Sequence, residues 1–87
     1  MSFAARIGDS TADGAITGVG EPTVLIGGMP AAVVGDIGTP ISGNIPGPYI
    51  MGSFTVFIGG KPALRVGDMC SNGTSVIILG ATNVLIG

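Results

Sequence analysis

The side chains able to do chemistry are few and regularly placed. Three carboxylates follow glycine, in Gly8-Asp9, Gly35-Asp36 and Gly67-Asp68. Brought together, they could hold a hard cation such as calcium or magnesium. The alternative is that each accepts backbone N–H bonds in its own turn, or pairs with Arg6 or Arg65, as aspartate after glycine readily does. Each Asp stands at the same point of a different segment, and a turn device reused three times accounts for that. The single cysteine, Cys70, could be a metal ligand or a nucleophile. A nucleophilic thiol needs a base, and the chain has no histidine. Cys70 reads instead as a small apolar filler, as do Met29, Met51 and Met69. Gly18-Val19-Gly20 has the look of a phosphate loop, but no Gly-Lys-Ser/Thr follows it. No catalytic residue is assigned, and no enzyme is expected.

The segments that carry these aspartates are versions of one unit. Phe3-Ala4-Ala5-Arg6-Ile7-Gly8-Asp9 returns as Pro30-Ala31-Ala32-Val33-Val34-Gly35-Asp36 and again as Pro62-Ala63-Leu64-Arg65-Val66-Gly67-Asp68. Each copy is followed, after a variable stretch, by an apolar run ending in glycine: Val24–Gly27, Val56–Gly59 and Val84–Gly87. An internal repeat decides architecture before any local propensity does. Val24–Asp36 matches Val56–Asp68 at a spacing of 32 residues, while Gly8 and Gly35 are 27 apart. The extra length is the Gly- and Pro-rich stretch Thr39–Tyr49, expected to be an ordered surface loop.

Strand signals dominate: short β-branched runs bounded by Gly, Pro, Asn, Asp or Ser. They fall at Ala15–Thr17, Thr23–Ile26, Ala32–Val34, Ile50–Met51, Thr55–Ile58, Ala63–Val66, Ser75–Leu79 and Asn83–Ile86. Gly27-Gly28-Met29-Pro30 and Gly59-Gly60-Lys61-Pro62 read as tight turns joining one unit to the next. Glycine and proline leave few uninterrupted windows for a helix. The expectation is an all-β fold, a small domain of three pseudo-equivalent β-hairpin repeats spanning residues 1–87. Three-sided pseudosymmetry suits one copy seated on the end of a threefold trimer; equally, the repeat could serve only to make a compact β domain.

Composition narrows the partners. The 87 residues are 46% hydrophobic and only 9% charged, with 17 glycines, 6 prolines and net charge −2. Three basic residues cannot make the positive stripe that nucleic acid requires, so no nucleic-acid partner is expected. Every apolar run is broken long before the roughly 20 residues of a spanning helix. No basic region leads into a long apolar stretch, so no signal peptide is expected. So little charge leaves apolar surface exposed, and large exposed apolar patches mark interaction sites. A permanent partner is expected.

The three in-phase copies resemble the PAAR-repeat family, named for Pro-Ala-Ala-Arg and typically continuing to Gly-Asp. The carrying residues are Ala4, Ala5, Arg6, Gly8 and Asp9; Pro30, Ala31, Ala32, Gly35 and Asp36; and Pro62, Ala63, Arg65, Gly67 and Asp68. The resemblance implies a cone-shaped domain whose broad base sits on a homotrimeric β-helical spike, one tip per trimer. Such a tip sharpens the membrane-piercing spike of a contractile injection machine and meets a target membrane transiently. The length, with no room for a toxin extension, favours a bacteriophage tail. A type VI secretion or extracellular injection spike is the alternative, and a cell-surface or carbohydrate-binding β module is a further one. The resemblance also implies a zinc near the apex, held by three histidines and a cysteine. The corresponding positions are Asp13 and Asn72, with the other ligands from Ile37–Tyr49, a loop without histidine or cysteine. Zinc favours Cys and His in sets of four, so the metal site is expected to be lost and no cofactor is expected. Asp13 and Asn72 could instead meet as a hydrogen-bonded pair or be ordinary turn residues. An atypical metal at Cys70 with Asp13 is the remaining alternative.

Overall fold

The computed structural model describes residues 2–41, 45–73 and 75–86, and among them the fold is all-β, with no helix. Nine short strands form four small sheets: β1 Ser2–Ala4, β2 Gly14–Thr17, β3 Glu21–Ile26, β4 Met29–Ala31, β5 Ile37–Pro40, β6 Gly47–Pro48, β7 Phe57–Ile58, β8 Lys61–Pro62 and β9 Ala81–Ile86. The sheets pair β3 with β4, β7 with β8, β1 with β9, and β2 with β5 and β6, all antiparallel.

Two hairpins close through consecutive glycines with positive φ, Gly27-Gly28 at 60° and 82° and Gly59-Gly60 at 59° and 79°. Positive φ at both central residues matches the twist of the flanking strands, which is why the pair is Gly-Gly. The third hairpin, β1 with β9, is assembled from the two ends of the chain.

The units interlock by cyclic backbone hydrogen bonds. The N–H of Ala5 donates to Leu64 O, that of Leu64 to Ala32 O and that of Ala32 to Ala5 O, at 3.0–3.1 Å. A second ring runs from Ile7 to Pro30, Val34 to Pro62 and Val66 to Phe3, each 2.9 Å. Each ring closes on itself after three units, so the sequence repeat is a spatial pseudo-threefold.

The Ala-Ala (or Ala-Leu) dipeptide at the rings faces two ways. Ala4, Ala31 and Ala63 belong to one core layer with Ile26, Ile86 and the partly buried Val56, Ile58 and Val84. Ala5, Ala32 and Leu64 belong to a second layer with Ile16, Tyr49, Ile77 and Cys70, flanked by Ile7, Val34 and Val66. The first layer lies toward the hairpin turns and the second toward the loops that follow Gly-Asp. Three in-phase glycines let the chain pass close to the rings. A Cβ on Gly20, Gly52 or Gly80 would meet the carbonyl oxygen of Ala31, Ala63 or Ala4, each at 2.6 Å.

Several expected strands are shorter or displaced. Ala32–Val34 and Ala63–Val66 are not strands: the amides of Ala32, Val34, Leu64 and Val66 serve the rings, and Val33, Val34, Ala63 and Arg65 make only isolated bridges. Thr55–Ile58 shrinks to β7 because Ser53 Oγ accepts the N–H groups of Thr55 and Val56. Ser75–Leu79 keeps only bridges at Val76 and Ile77, and Ile50–Met51 pairs with nothing as a strand. Conversely, the stretch read as a loop contributes the end of β5 and all of β6, at a sheet edge where proline is tolerated. Residues 42–44 of that stretch lie outside the described residues.

Candidate functional site

The Gly-Asp turns come first, because they set the loops. In each, the Asp N–H bonds back three residues, from Asp9 to Arg6 O, Asp36 to Val33 O and Asp68 to Arg65 O, at 3.0–3.1 Å. The carboxylate returns the bond: Asp9, Asp36 and Asp68 accept the N–H of Arg6, Val33 and Arg65 at 2.7, 2.8 and 2.7 Å. The glycine before each Asp has φ between 93° and 103°, a region closed to most L residues.

The second carboxylate oxygen separates the units. In units one and three it meets the guanidinium of Arg6 or Arg65 at 2.9 Å. These hydrogen bonds push both guanidiniums above their ordinary range. Unit two has Val33 in place of arginine, and Asp36 Oδ1 accepts the N–H of Gly20 at 3.1 Å instead. Each carboxylate is therefore engaged in its own turn, and no three acidic, thiol or imidazole groups converge among the described residues.

Beyond the turns, three loops gather at one end. Each returns to the core through an equivalent residue: Ile16, Tyr49 and Ile77 give their N–H to Asp9, Asp36 and Asp68 O and accept from Gly8, Gly35 and Gly67. Asp13 and Asn72 meet here through a residue that carried no sequence signal, Ser75. The Ser75 hydroxyl donates to Asp13 Oδ1 at 2.7 Å and accepts from Asn72 Nδ2 at 3.1 Å. The Ser75 N–H donates to Asn72 Oδ1 at 3.1 Å, and Thr11 Oγ1 donates to Asp13 Oδ1 at 3.3 Å. Tyr49 OH donates to Ser75 O at 2.8 Å from its fully buried site. Burial pushes the Tyr49 phenol well above its ordinary range, with the nearby Cys70, Asp13 and Asp68 adding to it. Cys70 lies in the core layer, with its thiol donating to Gly47 O at 2.8 Å.

The chemistry of this donor set does not fit the zinc that the family resemblance implies. Zinc takes lone pairs from thiolate, imidazole or carboxylate. At the Asn72 position the inward group is an amide N–H₂, which donates to Ser75 Oγ and to Ile45 O at 2.9 Å. The Asp13 oxygen that faces it already accepts two hydroxyls, and the Cys70 sulfur points its proton at a carbonyl. A groove of about 520 Å³ passes beside Asp13 between Thr11, Ala12, Ile41 and Ile78. Ser10, Thr11 and Asp13 are its polar lining, with the Thr11 hydroxyl bonded to Asp13.

The opposite end is apolar. The middle residue of each Val-x-Ile segment faces outward: Leu25 is 59% exposed, Phe57 59% and Leu85 53%. Their neighbours Ile26, Val56, Ile58, Val84 and Ile86 pack inward. An exposed position has no folding reason to be apolar three times. Glu21 and Lys61 lie on these hairpins, with the Glu21 carboxylate against Gly59 and the Arg6 guanidinium beside Gly27, so the outward apolar residues are flanked by a few charges.

Compared with known proteins, residues 7–78 of the chain match the sequence model of the PAAR motif. No curated protein matches the chain significantly.

Proposed function

The chain belongs to the PAAR-motif family, and we propose that it is the non-enzymatic tip of the spike of a contractile injection machine. The observation that carries this reading is the closed pseudo-threefold: two cyclic hydrogen-bond rings and three equivalent outward residues, Leu25, Phe57 and Leu85, on one chain. A monomer with three near-identical sides offers the same contact to each subunit of a threefold trimer, with no symmetry mismatch. The apolar hairpin end is the docking face, and the loop end points outward to lead the spike through a target membrane.

A phage tail is the machine we favour; a type VI or extracellular injection spike uses the same geometry. The exposed Phe57 does not argue for a carbohydrate platform. Leucine fills its place in the other two units, so the position asks for apolar bulk rather than an aromatic ring.

The test is co-expression with a candidate trimeric spike protein from the same source, followed by native mass spectrometry. Three spike chains to one copy of this chain are expected. A three-to-three assembly, or no assembly, counts against the reading.

A further inference from the structure

Ser75 touches all three units at a single buried point. It is fully buried. Its hydroxyl reaches Asp13 of unit one at 2.7 Å and Asn72 of its own unit at 3.1 Å. Its carbonyl accepts the Tyr49 hydroxyl of unit two at 2.8 Å. Two further bonds draw the middle loop onto the same cluster, from Asn72 Nδ2 to Ile45 O at 2.9 Å and from Ile41 N–H to Asp13 O at 2.9 Å. Gly38 lies against Ser75 and Cys70 so closely that a Cβ would stand 2.9 and 2.8 Å from their side-chain atoms.

We propose that Ser75 is the closing residue of the loop end, and that the Asp13–Ser75–Asn72 chain of hydrogen bonds holds the three loops together without a metal. The direction of the bonds explains the residue types. A carboxylate only accepts, and the Asn72 amide nitrogen only donates; a hydroxyl alone, at this size, accepts from one while donating to the other. The relay runs from amide to hydroxyl to carboxylate; an acceptor in place of the amide leaves two acceptors competing for one proton, and a donor in place of the carboxylate leaves that proton without an acceptor. Buried polar groups that are all paired fix one arrangement, and no buried side-chain N or O lacks a partner among the described residues. The reading concerns the loop end alone and holds whatever the hairpin end docks to.

Hydrogen exchange read by mass spectrometry on the full chain tests it, with and without a chelator. In Ser75→Ala and in Asn72→Asp, amides in segments 10–15, 37–41 and 69–73 should exchange about tenfold faster or more, the effect of losing a buried hydrogen bond of ordinary net worth. Hairpin segments 21–31 and 57–62 should keep their rates. Asp13→Asn retains a carbonyl acceptor for the hydroxyl and should stay within about threefold of the parent chain. Chelator, or added zinc, should leave the parent unchanged. If Ser75→Ala does not fold, the Asn72→Asp and Asp13→Asn pair still decides, because they differ in the sense of one bond. The proposal is overturned if Asn72→Asp exchanges like the parent, if Asp13→Asn loosens the loops as much as Asn72→Asp, or if chelation speeds loop exchange.

Discussion

Ser2 pairs with Ile86 in the register in which Met29 pairs with Ile26 and Lys61 pairs with Ile58. The meeting of the chain's ends is thus the third hairpin, cut at the place that Gly27-Gly28 and Gly59-Gly60 occupy in the other two. A cut there and a closed turn there should be interchangeable. A circular permutant that carries Met1→Gly, links Gly87 to that glycine and opens between Gly27 and Gly28 should fold with stability within about 1 kcal/mol of the parent, since one short Gly-Gly closure is exchanged for another. Opening between Gly35 and Asp36 should instead be strongly destabilising, because it severs the turn in which Asp36 caps the Val33 N–H. Thermal unfolding of the two permutants decides, and equal stability sinks the equivalence.

The in-phase glycines are close packing points against the backbone of the rings. Gly52 and Gly80 do not have positive φ, so a side chain there is excluded by space alone. Their Cβ would stand 2.6 Å from Ala63 O and Ala4 O, both backbone and unable to turn aside. Gly52→Ala and Gly80→Ala should each cost about 1–3 kcal/mol by overpacking. Gly60→Ala, where no atom lies within 4 Å, should pay only the strain of its positive φ of 79°. Denaturant titrations that rank Gly60→Ala as the most costly of the three would contradict the steric account.

How much of this was legible depends on whether a residue type has one reason to be where it is. Gly-Asp and Gly-Gly announced their turns because few other residues meet those φ values and cap those amides. The β1–β9 pairing was not legible, because Ser2–Ala4 is short and its partner lies at the far end of the chain. Nor were β5 and β6, where Gly47 and Pro48 look like loop residues yet suffice at a sheet edge. Ser75 was hidden for a different reason. It sits at the head of an apolar run, Ser75–Leu79, and serine there reads as a strand boundary; only its position between Asp13 and Asn72 gives it a role. Asp13 and Asn72 stood out through the family resemblance, but the sequence alone left open how they meet.

Tyr49 makes stability depend on alkaline pH. Burial raises its phenol above the ordinary value, so the folded chain keeps the proton at a pH where the unfolded chain loses it. The unfolded phenol ionises near pH ~10. Stability from this group is complete below that pH and falls as pH rises through it toward the folded value. Tyr49→Phe should cost about 1–2 kcal/mol at neutral pH, by leaving Ser75 O without its donor. It should also flatten the alkaline loss. Tyr49 is the only tyrosine and the chain has no tryptophan, so tyrosinate absorbance reports this residue alone. An ordinary phenol titration in the folded protein would remove the basis of the prediction.

The hairpin end supplies the sharpest test of threefold docking. Leu25, Phe57 and Leu85 are more than half exposed, so aspartate at any of them leaves the core packing in place and should fold normally. In a complex with a threefold spike each residue meets the same patch on a different subunit. Burying a charge against apolar surface there should weaken binding by about 1.5–3 kcal/mol, roughly tenfold to a hundredfold in Kd. The three single variants should therefore weaken capture by the spike to a similar degree. The three sites belong to different hairpins, so a double variant should weaken binding by close to the sum of its singles in free energy. Titration of the spike protein with the three single variants and one double variant measures both. If one variant abolishes binding and the other two bind like the parent, the contact is one-sided, and the repeat serves the fold rather than a threefold partner.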